Sequence, residues 1–259
     1  MNPLRGHASV SRGLDGFDRR FGAGEVERAV ARGAPGPRRV LEIGCGEGRA
    51  LLELRHRFPS AELHGVNKEP WQAMQGSESL PDVATFHRLF TAAQLRQLTL
   101  PTIHFLDAQC LPFADASFDV VISQGAIHYA ARKDRVIEEA WRVLAPGGEA
   151  FLHLDSRLPP MPECLAEPTP RFVVYRAGLL VPVCELVADA ARRGFAIAYA
   201  EATTVSTSIV VRMQRNREAP LRLGLTFDDV ASFDLGALNA ERKRWDLYWG
   251  YRSVLHLAE

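Results

Sequence analysis

The chain predicts an α/β fold, and three observations carry the prediction. The run LEIGCGEGRALLEL, Leu41 to Leu54, sets an acidic residue and three alternating glycines between an apolar strand and a helix. Short apolar runs then recur along the chain, alternating with segments whose apolar residues fall at helical spacing, which is the pattern of strands joined by crossover helices. Hydrophobic residues make up 47% of the 259 and charged residues 24%, enough apolar side chain for one substantial core and unlike a disordered composition.

Phe17, Phe21, Val26 and Val30 fall at roughly helical spacing and predict an N-terminal helix, over the ligand site or against the sheet, stopped by the break from Gly33 to Pro37. Val40, Leu41 and Ile43 end the first strand, and Ala50, Leu51, Leu52 and Leu54 are the apolar face of the helix after it. The second strand, Glu62 to Val66, ends at Asn67 and is followed by a helix from about Pro70, since proline suits a first turn. The third strand begins only near Ile103, a gap longer than one crossover helix. Phe86, Leu89, Phe90, Ala93 and Leu98 predict a second amphipathic helix there, which either shapes a pocket or packs on the sheet edge. Phe118 to Ser123 is the fourth strand, Arg132 to Leu144 a helix with Val136, Ile137, Ala140 and Val143 on one face, and Glu149 to Leu154 the fifth strand. A proline-rich stretch from Pro159 to Pro182 reads as a long irregular connection of the kind that borders ligand sites. Pro182 opens a helix that Gly194 ends, and Phe195 to Ala200 and Ser208 to Met213 are further strands. The tail ends in a helix, Leu238 to Leu257, whose Trp245, Tyr248, Trp249 and Tyr251 form a docking face or an aromatic surface for a cationic or flat substrate. The expected organisation is an N-terminal helical segment over 1–37, a central domain over 38–215 and a C-terminal helical extension over 216–259.

The glycine turn is built to hold a ligand, because Gly44, Gly46 and Gly48 permit positive φ and a close approach to the main chain. Spacing narrows which ligand. A dinucleotide fingerprint, GxGxxG, would place its third glycine where this chain has Arg49, with a pyrophosphate on the helix N-terminus. The pattern here is E-x-G-x-G-x-G, and the Glu42 carboxylate suits an ammonium group and is a poor neighbour for a pyrophosphate. The segments IHFLDAQCLPFADASFDVVISQGAIHY (Ile103 to Tyr129) and VLAPGGEAFLHLD (Val143 to Asp155) follow in order. With them the chain resembles the S-adenosylmethionine-dependent methyltransferases of the Rossmann-like class, small-molecule type, over about Val40 to Arg215.

That resemblance implies a doubly wound, seven-stranded mixed sheet with helices on both faces and the last strand antiparallel, and S-adenosyl-L-methionine as cofactor with S-adenosyl-L-homocysteine as product. It implies cofactor-binding roles for Glu42, Gly44, Cys45 and Gly46 in the first motif, for Asp107 and Ala108 at the adenine, and for Ser123 and Gln124 at the methionine end. The L-x-P-G-G turn, Leu144 to Gly148, leads into the fifth strand. Asn67 departs from the pattern, standing where the family holds the ribose hydroxyls with an acidic residue. A neutral hydrogen bond contributes about 0.5 to 1.5 kcal/mol against roughly 1.5 to 3 for a charged one, so Asn67 is expected to bind the ribose more weakly, with Glu69 placed to compensate. Methyl transfer from a sulfonium is an in-line displacement that requires no covalent residue, only alignment and exclusion of water. His128 is the candidate catalytic residue, a general base for a hydroxyl or amine acceptor at neutral pH; the alternative is that it packs at the helix start. Tyr129 is placed to help close the pocket. The sequence SQGA after the fourth strand lacks the N/D-P-P-Y type signature of enzymes that methylate exocyclic nucleobase amines, which favours a small-molecule acceptor.

Composition points the same way. Lys and Arg number 31 and Asp and Glu 31, and a pI near 7.1 leaves no positive field to capture nucleic acid. No apolar run reaches the roughly 18 residues of a membrane span, and the first residues lack the apolar core of a signal peptide, so a cytoplasmic location away from membranes is expected. Four scattered cysteines without a C-x-x-C pair argue for reduced thiols and no metal site; Cys45 either simply fits the glycine turn or is reactive. A homodimer is the expected assembly, if any. The functional expectation is methyl transfer to an oxygen, nitrogen or carbon of a small metabolite, such as those of secondary metabolism. Its rival is a non-methylating member of the fold, a cyclase, lyase or regulatory subunit. A nicotinamide-dependent dehydrogenase is disfavoured by the loop spacing and the A-P-G-G turn.

Overall fold

The computed structural model describes residues 13–32, 36–70, 74–127, 130, 133–155, 173–176, 179–182, 197–202, 208–216 and 220–221. It opens with two short helices, α1 (Gly13–Phe21) and α2 (Glu25–Ala31). The single N-terminal helix expected from Phe17, Phe21, Val26 and Val30 is therefore broken in two, because Gly22 and Gly24 turn the chain at φ of 96° and 69°. There follow β1 (Arg39–Ile43), α3 (Arg49–Arg57), β2 (Glu62–Asn67), a 3₁₀ turn (Ser77–Ser79), α4 (Leu80–Phe86), α5 (Ala92–Gln97), β3 (Thr102–Phe105), β4 (Phe118–Gln124), α6 (Lys133–Val143) and β5 (Leu144–Asp155). Last come β6 (Val173–Arg176), β7 (Leu179–Pro182), β8 (Ile197–Ala202) and β9 (Ser208–Gln214).

The main sheet has the order β3-β2-β1-β4-β5-β9-β8, with β6 and β7 paired separately. Strands β1 to β5 pair in parallel, while β9 runs antiparallel to both β5 and β8. Both faces of the central strand are buried, so Val40, Leu41 and Ile43 are apolar whichever face they point to, and the buried Glu42 among them is the exception. Val40 points to the face packed by α1, α2, α3 and α4, and Leu41 and Ile43 point to the face packed by α6. This is the doubly wound arrangement. Strand order reverses about β1, between β2 and β4, and the carboxyl ends of the strands there border a crevice, the usual ligand position in such sheets.

The segment between β2 and β3 differs from expectation. Among the described residues, helix begins not near Pro70 but at Ser77 and Leu80, and Phe86, Leu89, Phe90, Ala93 and Leu98 do not share one helix. After α4 the chain passes through Arg88 at φ 56°. Thr91 then starts α5 with a capping box, its hydroxyl accepting from Gln94 N–H at 3.3 Å while Gln94 Oε1 accepts from Thr91 N–H at 2.8 Å. At the far side of the sheet Arg215 closes α6, donating to the carbonyls of Arg142 (2.9 Å) and Leu144 (2.5 Å) that the helix leaves open. The Gly147 N–H donates to the Arg215 carbonyl (2.8 Å), and the Arg215 N–H to the Gly148 carbonyl (3.1 Å), so the L-x-P-G-G turn is tied to the end of β9.

Candidate functional site

The chain leaves β1 at Ile43 and folds over the end of β2. Gly44 N–H and Cys45 N–H both donate to the Val66 carbonyl (2.6 and 3.2 Å), and Gly48 N–H donates to the Cys45 carbonyl (2.9 Å). Gly46 N–H donates to Asn67 Oδ1 at 3.0 Å, and Asn67 Nδ2 donates back to the Gly46 carbonyl at 2.8 Å. Gly44 and Gly46 sit at φ 73° and 56°, and a Cβ on Gly44 would run into Ala126. The loop therefore lies hard against the segment after β4. Four of its N–H groups are engaged within the protein, so it offers little of the open donor cluster that a pyrophosphate needs.

Glu42 stands on β1 just before this loop, 5% exposed, and its Oε2 has no hydrogen-bond partner among the described residues. Burial, with the charge of Glu53 as the smaller cause, pushes its carboxyl up to about 8. A buried carboxylate without donors is an incomplete pair, and a cation carrying N–H groups completes it. A buried acid with one oxygen unpartnered among the described residues, beside the glycine turn, fits the ammonium end of S-adenosylmethionine. Cys45 is buried in the same turn, and its thiol is pushed up by burial and by Glu42, with Asn67 opposing; a thiol held protonated is a packing group.

The other predicted residues are gathered unevenly. Gln124 pairs in register with His153 of β5, and strand alternation puts both on the face of Ile122 and Phe151. Helix α1 lies over them: a Cβ on Gly16 would stand 2.5 Å from Gln124 Nε2, and Phe21 meets Phe151 edge-on at 5.6 Å. Glu53 of α3 pins the start of α1, accepting from Leu14 N–H (2.6 Å) and from Arg49 Nε (2.7 Å). Ser123 faces the opposite way, fully buried, with Oγ donating to the Ile43 carbonyl at 3.0 Å. At the end of β3 Asp107 is exposed, its carboxylate accepting from Gln109 N–H and Nε2 at 2.9 Å each. Ala108 beside it packs on the α6-side core. Leu106 N–H donates to the Asn67 carbonyl (2.8 Å), which draws the ends of β2 and β3 together. His128 and Tyr129 lie outside the described residues, as do Cys164 and Cys184.

Sequence reading passed over Gly16, Glu53 and the buried His153, and it missed a second tie on the loop. Glu47, between two of the loop glycines, meets His87 at 2.7 Å from Oε1 to Nε2, with both side chains under a tenth exposed. Only the alternation of β5 could have flagged His153; the other three depend on contacts between distant segments.

The stretch from β1 to β5 is similar to known proteins. The family described as "Methyltransferase domain" matches residues 41–152, from β1 to β5. Among curated relatives, a malonyl-[acyl-carrier protein] O-methyltransferase of Geobacter sulfurreducens is 34% identical over 112 residues, covering 43% of this chain and 36% of that protein. A demethylmenaquinone methyltransferase of Thermus thermophilus is 31% identical over 150 residues, covering 57% of this chain and 58% of that one. The chain thus spans between about a third and a little over half of these relatives' length. Among solved structures, a SAM-dependent methyltransferase of Methanosarcina mazei aligns with a TM-score of 0.46 at 19% identity, over 70% of this chain and 94% of its own. From the apolar first strand through the glycine turn to the fifth strand, residues 41–152 match the methyltransferase-domain family, and with these relatives they support a Rossmann-like, S-adenosylmethionine-dependent methyltransferase.

Proposed function

We propose that this chain transfers a methyl group from S-adenosylmethionine to an oxygen, nitrogen or carbon atom of a small-molecule metabolite. The observation that carries the reading is the buried Glu42 carboxyl, without a partner on Oε2 among the described residues and next to a turn that glycine holds at positive φ. Glu42 would hold the ammonium group, the main chain of Gly44, Cys45 and Gly46 would border the cofactor, and Asn67 stands at its ribose end. Asp107 and Ala108 are assigned to the adenine, and Ser123 and Gln124 to the methionine end, Ser123 through its main chain because its hydroxyl is occupied on β1.

When bound, the cofactor supplies an electrophilic methyl on a sulfonium centre. The chain's own part is to align an acceptor and to keep water out. Helix α1 over Gln124 and His153 provides one wall, and a ring nitrogen of His128 takes the proton from the acceptor O–H or N–H. The two relatives named above act, by name, on malonyl-[acyl-carrier protein] and on demethylmenaquinone, neither of them a nucleic acid, and the balanced charge of this chain provides no field for a polyanion. These support a small acceptor.

The test is calorimetry with S-adenosylmethionine followed by transfer of labelled methyl into a metabolite extract. Binding with transfer is the expected result. Binding without transfer to any fraction points to the non-methylating alternative, and no binding overturns the reading of the loop. His128→Ala is expected to lower turnover by about two to four orders of magnitude with cofactor affinity nearly intact; retention of most of the rate would return His128 to a packing role.

A further inference from the structure

Asn67 ends β2 with its side chain buried, 6% exposed. Its carboxamide grips Gly46 from both sides, accepting from the Gly46 N–H at 3.0 Å and donating to the Gly46 carbonyl at 2.8 Å. A neighbouring strand satisfies a residue in the same two-bond way, and Gly46, at φ 56° and outside any strand, has no such neighbour. The two preceding loop N–H groups go to the Val66 carbonyl. Three consecutive N–H groups of the loop are therefore held by the last two residues of β2, and the third depends on one side chain.

The residue type follows from this geometry. A carboxamide is donor and acceptor in one planar group, whereas an ionised carboxylate only accepts. An aspartate in the same rotamer would keep the bond from Gly46 N–H but set an anionic oxygen against the Gly46 carbonyl. We propose that Asn67 is the positioning residue of the glycine loop, and that it acts on the cofactor through Gly46 rather than by offering the ribose the acceptor pair of a carboxylate. This rests on the reading of the loop as the cofactor cradle. It accounts for the departure from the acidic residue expected at this position. It also reverses the sign expected of a carboxylate there: Asn67→Asp should loosen binding, not tighten it.

The first test needs no cofactor. In the ligand-free protein, amide hydrogen exchange at Gly46 should accelerate at least about tenfold in Asn67→Ala, the loss of roughly one satisfied hydrogen bond. Amides of β1 and β4 should stay as protected as in the wild type, which shows that the variant is folded. Unchanged exchange at Gly46 overturns the proposal. The second test is calorimetry with S-adenosylhomocysteine, where Asn67→Asp should bind about five- to twentyfold more weakly at about pH 7.5. The ratio of variant to wild-type affinity should narrow towards about pH 5, because a protonated carboxyl regains a donor for the Gly46 carbonyl. Taking the ratio cancels the titration of groups both proteins share: Glu42, Cys45 and Glu47 at the end of β1 and in the loop, Lys68 and Glu69 after β2, and Asp107 after β3. Tighter binding by Asn67→Asp, or a ratio that widens in acid, overturns the proposal in favour of a direct carboxylate–ribose contact. If the wild type does not bind S-adenosylhomocysteine, the cofactor reading of the loop fails, and exchange at Gly46 still decides whether Asn67 holds it.

Discussion

A carboxyl group that is buried and lacks a partner on one oxygen is costly to ionise, and Glu42 is such a group, with its carboxyl pushed up to about 8. Its ordinary value is 4.5. Because the folded value is raised, the stability that Glu42 contributes to the ligand-free protein is fully present below about pH 4.5 and is lost as pH rises through about 8. A cationic ligand reverses the preference, since an ammonium beside Glu42 favours the ionised form. Binding below about pH 8 must then release a proton, and affinity for S-adenosylmethionine should rise up to about tenfold per pH unit from about pH 6 to about pH 8 before levelling. Calorimetry in buffers of different ionisation enthalpy reads the proton directly. Glu42→Gln removes the titration, so its affinity should be flat over the same range and lower than wild type by about tenfold or more at about pH 8. A wild-type profile as flat as that of the variant would mean that no ammonium group sits on Glu42.

At the scale of the element, the glycine loop is held from two directions, by the end of β2 and by the inserted α4. The second hold is the buried pair of Glu47 with His87, the residue that caps the C-terminus of α4, at 2.7 Å. His87→Ala leaves Glu47 buried without this donor and should cost about 1 to 3 kcal/mol in urea denaturation, with His87→Gln recovering part. Cofactor affinity should fall in the same variant. Unchanged stability and affinity would reduce α4 to packing on the sheet edge. The strands were largely legible in the sequence: the expected bounds of the second and fourth fall within a residue of β2 and β4, marked by the buried Leu63 and Val66 in one and by the buried run Val120, Val121 and Ile122 in the other. The helices between β2 and β3 were not, because their limits are set by a capping box at Thr91 and a left-handed turn at Arg88, neither of which is periodic. The site shows the same division. Glu42, the loop and Asn67 could be located by local spacing, but the turn of the Asn67 amide onto Gly46 and the reach of His87 to Glu47 join residues 21 and 40 positions apart, and no local pattern encodes them. The expected helix from Pro182 to Gly194, most of the proline-rich connection and the aromatic C-terminal helix lie outside the described residues.

Across the whole molecule, the N-terminal helices are part of the site's architecture. Leu14, Phe17, Val26 and Val30 are each 2% exposed or less in the core that also holds α3 and Phe151. Ion pairs tie α2 and the residue after it across the sheet, Glu25 to Arg212 of β9 at 2.9 Å and Arg32 to Glu149 of β5 at 2.7 Å. Such partly exposed pairs are worth up to about 1 kcal/mol each, so the apolar contacts hold the helices down and the pairs mainly fix their register. The consequence is a roof over the ends of β4 and β5 whose height is set at Gly16. Inside a helix alanine is favoured over glycine by about 1 kcal/mol, so Gly16→Ala should leave the melting temperature unchanged or raise it. The added Cβ would stand 2.5 Å from Gln124 Nε2 and 2.7 Å from Oε1, and the flexible carboxamide, not the backbone, would give way. Stability and function should therefore move apart, with cofactor affinity falling by about three- to tenfold while the fold is no weaker, the loss of about one neutral hydrogen bond. A double-mutant cycle locates the cause: once Gln124→Ala has removed the carboxamide, adding Gly16→Ala should cost nothing more. Additive losses would place the effect of Gly16 elsewhere in α1, and an unchanged affinity in Gly16→Ala would show that the roof packs over Gln124 without setting its position.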